Sequence, residues 1–278
     1  MNYAIVTGAA KGIGKAIATE LAKRNYNLLL IDMDDIGLYK AAQEIKKSND
    51  ISVETFTIDL SDEDAADRIY HWSRRYHDEL SVVVNNAGYG LNGSFTDIAY
   101  HRHIENINVN IKAVVAISHR FIPVLKKQTE GYLLNVASTT AYQTVPYLNI
   151  YASTKAFVLS FTRGLRYELR NTNVSVSALS PGSTDTDFVN RAGMGESILK
   201  TARKFNMSPE KVGKIAVSGM FKSKKEIIPG FTNKLNAFLP KFFPKALVER
   251  IAGNIYEPKQ NHEIAAGYKI SSANVFNN

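Results

Sequence analysis

The sequence predicts an α/β fold, a parallel sheet with helices on both faces, and three observations carry that prediction. Short runs rich in β-branched and aliphatic residues alternate with longer helical stretches. Two of the runs, NLLLI and SVVVN, are apolar without interruption, as strands buried on both faces should be. The residues that sit awkwardly in a core (glycines, asparagines, aspartates, a serine) fall where the runs stop. In an open α/β sheet ligands bind outside the carboxyl ends of the strands, at the topological switch point.

Taken in order, YAIVT is the first strand, and TGAAKGIG (residues 7–14) leaves it and opens a helix from about Gly12 to Arg24. Gly8 allows a tight turn, Gly12 lets the backbone approach a pyrophosphate, and Gly14 permits close helix packing, with Lys11 and Ile13 between them. The spacing GxxxxGK[ST] is absent, which counts against ATP hydrolysis. NLLLID is the second strand, closing on Asp32, and a helix follows from about Ile36 to Lys47. VETFTID ends at Asp59, with Leu60 next, and precedes a helix near 62–78. SVVVN leads into NNAG (residues 85–88), which as a bare tetrapeptide reads as a turn. A long helix near 103–127 contains Asn110 in an apolar setting, where its amide must find partners; capping a kink is its simplest role. GYLLNVAS ends on Ser138, a helix covers about 151–170, and NVSVSALS runs into Pro181-Gly182.

The 278 residues, 45% apolar and 22% charged, suit one globular domain, expected over residues 1–260, with a loosely ordered tail over 261–278. The absence of cysteine excludes disulfides and thiolate chemistry, and the six histidines show no metal-binding spacing, so no metal is expected. The net charge of +8 is uneven: residues 200–260 hold 13 Lys/Arg against 4 Asp/Glu, so the excess does not describe the main body. No nucleic-acid partner is expected. The chain starts MNYAIVTGAA without a basic segment before an apolar stretch, and no run of 18 apolar residues follows, so a cytoplasmic protein is expected.

NIYASTKAF places Tyr151 and Lys155 one helical turn apart on one face. A phenol with an ordinary pKa near 10 is a poor base at neutral pH, and a neighbouring ammonium, like a positive nicotinamide, stabilises phenolate and lowers that value. Ser138, thirteen residues upstream at a strand end, is placed to hold a substrate oxygen. Together these read as a proton relay.

Jointly these motifs resemble the short-chain dehydrogenase/reductase family. Its TGxxxGxG matches Thr7–Gly14, its NNAG Asn85–Gly88, its YxxxK Tyr151–Lys155 and its PGxxxT Pro181–Thr186; its serine and helical asparagine match Ser138 and Asn110. The resemblance implies a Rossmann-type three-layer fold of about seven parallel strands, KEIIPG (225–230) supplying the last. It implies Tyr151 as general acid/base, Lys155 on the nicotinamide ribose lowering the tyrosine pKa, Ser138 orienting the carbonyl or alcohol, and Asn110 anchoring a water of the relay. Asp59 and Leu60 then meet the adenine; Asn86, Ala87, Gly88, Pro181 and Gly182 complete the cofactor cleft; Thr184 and Thr186 lie near the carboxamide. Asp32 followed by Met33 favours NAD, because a carboxylate accepts from the ribose hydroxyls and repels a 2′-phosphate. Lys11 argues for NADP, the alternative.

The expected substrate is a small carbonyl or alcohol compound, lipid-like character being one option, and the alternative function is a noncatalytic cofactor-binding or regulatory protein on the same fold. Residues 187–205 fall where this family covers its substrate, and Tyr89, Leu91, Tyr142 and Tyr147 are candidates to line an apolar cleft. The family also implies a homodimer or homotetramer built on the helices of Asn110 and Tyr151. For residues 231–256 the favoured reading is a helix pair packed on the domain with solvated lysines. A lid, or a docking surface for membrane or acidic carrier, is the alternative.

Overall fold

Seven parallel strands stand in the order β3-β2-β1-β4-β5-β6-β7 in the computed structural model, which describes residues 2–186, 188, 192–194 and 206–258. The strands are β1 (Tyr3–Thr7), β2 (Asn27–Asp32), β3 (Val53–Thr57), β4 (Leu80–Asn85), β5 (Gly131–Val136), β6 (Val174–Leu179) and β7 (Glu226–Ile227). The chain builds outward from β1 to β3, returns to the other side of β1 with β4, and continues outward. The reversal puts the switch point between β1 and β4.

Alternation along the strands divides the core into two layers. Ala4, Val6, Leu28, Leu30, Val82 and Val84 face one way, toward α1 (Gly12–Ala22), α2 (Asp35–Ser48) and the helix Pro209–Phe221, here α7. Ile5, Leu29, Ile31, Leu80 and Val83 face the other way, toward α3 (Ala65–Ser73) and α5 (Ala113–Leu125), with Phe121 fully buried. α6 (Asn149–Glu168) adds Val158 and Leu159 to the cover near Ala178 of β6. Both faces are therefore covered, the arrangement that continuous apolar runs require. Local signals agree: Asp34 Oδ1 accepts from Gly37 N at 3.0 Å to cap α2, and Ser208 caps α7 with Pro209 in its first turn.

Several expected boundaries move. Asp59 and Ser138 lie two residues beyond β3 and β5, because each begins a turn: Asp59 Oδ1 accepts from Ser61 N at 2.8 Å and Ser138 Oγ from Thr140 N at 3.1 Å. The helix expected over 62–78 is α3 followed by a 3-10 turn over Arg74–Tyr76. The single helix expected over 103–127 is instead α4 (Tyr100–Ile107), a π-helical segment Asn108–Lys112, and α5. A widened turn of this kind is frequent at functional sites. The C-terminal segment forms α8 (Phe231–Phe238), a 3-10 turn Leu239–Phe242 and α9 (Lys245–Tyr256). Residues 195–205, most of the segment expected to cover substrate, and the tail 261–278 lie outside the described residues. Among the described residues no helix is long and apolar enough to cross a membrane.

Candidate active site

The carboxyl ends of β1 and β4 are tied at the switch point by Thr7 and Asn86. Thr7 Oγ1 donates to Val84 O (3.3 Å) and accepts from the backbone N–H of Asn86 (3.0 Å) and Ala87 (3.1 Å). Asn86 Nδ2 donates back to Thr7 O (2.9 Å) and Gly8 O (3.1 Å). The glycine-rich turn is held against this knot. Gly8 and Gly12 have φ of 65° and 60°, which a side chain would strain, and a Cβ on Gly14 would run into the Gly8 carbonyl oxygen. Asp32 completes the support, its Oδ2 accepting from Ala10 N at 3.0 Å and its Oδ1 from Asp34 N at 3.1 Å.

Above the sheet edge lies a cavity of about 510 Å³. Gly8, Lys11, Gly12, Ile13 and Asp32 line one part, with Asp59 and Leu60. Asn86, Ala87 and Gly88 line its middle; Pro181, Gly182, Thr184 and Thr186 lie along it, and Ser138, Tyr151 and Lys155 close the far part. Gly14 and Asn110 stand behind the wall, Gly14 under the turn and Asn110 fully buried.

Tyr151 is 8% exposed, its ring 5.1 Å from Phe188, and it lines the cavity together with Ser138. Burial pushes the Tyr151 hydroxyl well above its ordinary value; the Ser138 side chain pulls down and Tyr256 pushes up further. Lys155 donates its Nζ proton to Val136 O at 2.8 Å and stands 5.7 Å from the tyrosine ring centroid, so burial dominates. The same burial pushes Lys155 down to about 8.

Asn110 clamps Tyr89 from both sides, Nδ2 donating to its carbonyl (3.0 Å) and Oδ1 accepting from its N–H (3.1 Å). It also donates to Thr154 Oγ1 (3.0 Å), next to Lys155 on α6, and to Asn106 Oδ1 (3.2 Å). A Cβ on Gly88 would lie 2.9 Å from Asn110 Oδ1 and 3.2 Å from Lys155 Nζ, so the NNAG turn, the π segment and α6 meet at one point. Asn110→Ala leaves the Tyr89 N–H without its acceptor, while Asn106 still serves the Tyr89 carbonyl and Thr154 keeps Tyr151 O, and is expected to lower stability by about 1–3 kcal/mol, read by urea unfolding.

Of the four residues considered for an apolar cleft, only Tyr89 lines this cavity. Tyr142 turns to Glu226 (3.0 Å) and Ser180 (3.3 Å), and Tyr147 bonds Glu257 (3.1 Å); each phenol follows a polar partner on another element. Leu91 is not among the lining residues. Sequence reasoning missed Tyr256, Thr139 and Thr140, and the Thr154–Asn110 bond. Thr139 and Thr140 follow the strand-end Ser138 directly, a signal available in the sequence; Tyr256 is delivered by the C-terminal helix and carries none.

The sheet order and the glycine turn at its switch point define the dinucleotide-binding class of open α/β folds. Residues 2–197 match the family model for short chain dehydrogenase, and the chain belongs to that family of oxidoreductases. An uncharacterized oxidoreductase of Staphylococcus aureus is 32% identical over 185 residues, covering 66% of this chain and 79% of that protein. Among solved structures, a short-chain dehydrogenase from Sphingobium yanoikuyae in complex with NADPH superposes with a TM-score of 0.77 at 23% identity, covering 94% of this chain and 97% of the other. A short-chain dehydrogenase/reductase from Burkholderia phymatum in complex with NAD gives 0.78 at 21% identity, covering 87% and 93%.

Proposed function

We propose that this protein transfers hydride between a nicotinamide cofactor and a carbonyl or secondary alcohol substrate, with Asn110, Ser138, Tyr151 and Lys155 handling the proton. The observation that carries the reading is that Tyr151, Ser138 and buried Lys155, one turn from the tyrosine, line the same cavity as the glycine-rich turn.

The residues present fit such a cofactor. The N-terminus of α1, freed of side chains at Gly8 and Gly12, suits a pyrophosphate. The Asp32 carboxylate suits a ribose diol, Asp59 and Leu60 an adenine, and Lys155, Thr184 and Thr186 the nicotinamide end. When bound, the cofactor supplies or accepts the hydride.

The chain's own residues supply the rest. Ser138 Oγ donates to the substrate oxygen and orients it. Tyr151, kept protonated by burial, gives its hydroxyl proton to that oxygen as reduction places negative charge there. The Lys155 ammonium then stabilises the phenolate. Asn110 is a positioning residue, fixing Tyr89 at the wall and Thr154 beside Lys155. The proposal is tested by following the absorbance of reduced cofactor across a panel of ketones and secondary alcohols; turnover of at least one is expected. Cofactor binding with no turnover throughout the panel would support a noncatalytic binder instead.

NAD is the proposed cofactor. Both Asp32 oxygens already hold the loop, so the carboxylate is fixed where a 2′-phosphate would meet it, and such like-charge juxtaposition costs several kcal/mol. NAD is expected to bind at least about tenfold tighter than NADP by calorimetric titration. Tighter NADP binding assigns the choice to Lys11, which lines the same cavity. We also propose a homodimer or homotetramer: Tyr100 and Ile104 on α4 and Phe157 and Tyr167 on α6 are exposed, apolar and on the helices expected at the interface.

A further inference from the structure

The C-terminal helices present an apolar surface that hydride transfer does not use. On α8, Phe231, Leu235 and Phe238 lie along one exposed stripe, and on α9, Leu247, Ile251 and Ile255 do the same. Phe242 and Phe243 join the two. Exposure along this surface runs from 37% at Leu239 to 79% at Phe231, whereas Ala237 and Ala252 are the buried residues of α8 and α9. α9 is apolar on both sides: Ala252 packs inward with Val145, Leu148 and Tyr151, while the Leu247–Ile255 stripe faces outward. Exposed apolar stripes of this kind mark an interaction site.

Charge identifies what covers it. Residues 231–256 carry Lys234, Lys241, Lys245 and Arg250 against Glu249 alone. Lys234 and Lys241 also line a cavity of about 390 Å³ with Leu235 and Phe238. Inside that cavity Arg163 is neutralised by Glu226 at 2.6 Å, so the lysines set the charge of its rim. Two copies of this face brought together would oppose cation to cation. An anionic bilayer offers the opposite charge and an apolar layer at the depth that phenylalanine and leucine side chains reach.

We propose that α8, α9 and the turn between them dock this protein on the surface of an anionic lipid bilayer, with the phenylalanines inserted and the lysines at the headgroups. Tyr256, the last residue of α9, lines the active-site cavity, so docking sets that cavity beside the bilayer. The proposal is independent of the reaction catalysed.

The test is flotation of the full-length protein with phosphatidylcholine vesicles, with and without about 30 mol% phosphatidylglycerol. Binding to the anionic vesicles at low salt is expected to be at least about tenfold tighter than to neutral ones, and to weaken severalfold at about 0.5 M salt. Phe238→Ser with Phe242→Ser is expected to lower that binding at least about tenfold by removing inserted area, and Lys241→Glu with Lys245→Glu to do the same by reversing charge. Absence of wild-type binding to anionic vesicles at low salt overturns the proposal, as does binding unchanged in both double variants. A dimer broken by the phenylalanine substitutions, in a protein that does not float, also overturns it and assigns the face to a second copy.

Discussion

Tyr151→Phe is expected to lower kcat for carbonyl reduction by about a hundredfold or more, the contribution of a positioned general acid. The substitution removes the proton and keeps the ring, whose packing against Phe188 at 5.1 Å needs no hydroxyl. Cofactor affinity should therefore stay within a factor of about two, which separates a chemical defect from a binding defect. Steady-state kinetics with a parallel cofactor titration reads both quantities. Near wild-type kcat in the variant removes Tyr151 from the mechanism.

Lys155→Met is expected to abolish turnover and, at the same time, to stabilise the protein without cofactor. The wild-type ammonium is 4% exposed and has Val136 O as a hydrogen-bond acceptor, so its charge is held in an unfavourable place. Folding lowers its pKa from 10.5 to about 8. A lysine lowered in this way costs stability in full below pH 8, where both folded and unfolded chains carry the proton, and the cost fades as pH rises toward 10.5. Methionine, close in shape and neutral, should raise stability at pH 7 by about 1–2 kcal/mol after the loss of the Val136 bond. That gain should shrink as the unfolding measurement is repeated from pH 7 to 10. A variant less stable than wild type at pH 7 would mean the ammonium is well solvated or paired, against the geometry described. An activity loss coupled to a stability gain is what a buried functional charge produces.

Much of the fold could be read from short-range pattern. NLLLI and SVVVN read as central strands because both their faces are buried, and the turn at 7–14 read as a phosphate cradle because its glycines sit between a strand and a helix. The Tyr151–Lys155 pair was visible for the same reason, being one turn apart on α6. What stayed hidden depends on contacts between distant elements. Asn110 was recognisable as an amide needing partners, but those partners, Tyr89 and Thr154, are 21 and 44 residues away and follow from the packing of α6 on the π segment. Spacing reports a neighbouring cation but not the depth of burial, which is the largest influence on the Tyr151 hydroxyl here. Position makes Tyr142 and Tyr147 candidates for a cleft or for packing, while their hydroxyls follow Glu226 and Glu257 from the C-terminal part of the chain.

Hydride transfer at the Tyr151 end of the cavity is read by isotope transfer. Reduced cofactor carrying deuterium at the transferable position is incubated with the protein and a panel of ketones, and the alcohols formed are weighed by mass spectrometry. One deuterium is expected on the carbinol carbon of at least one product from the wild-type protein, and at most about a hundredth of that rate from Tyr151→Phe. Tight cofactor binding with no labelled alcohol from any ketone would contradict hydride transfer at this site.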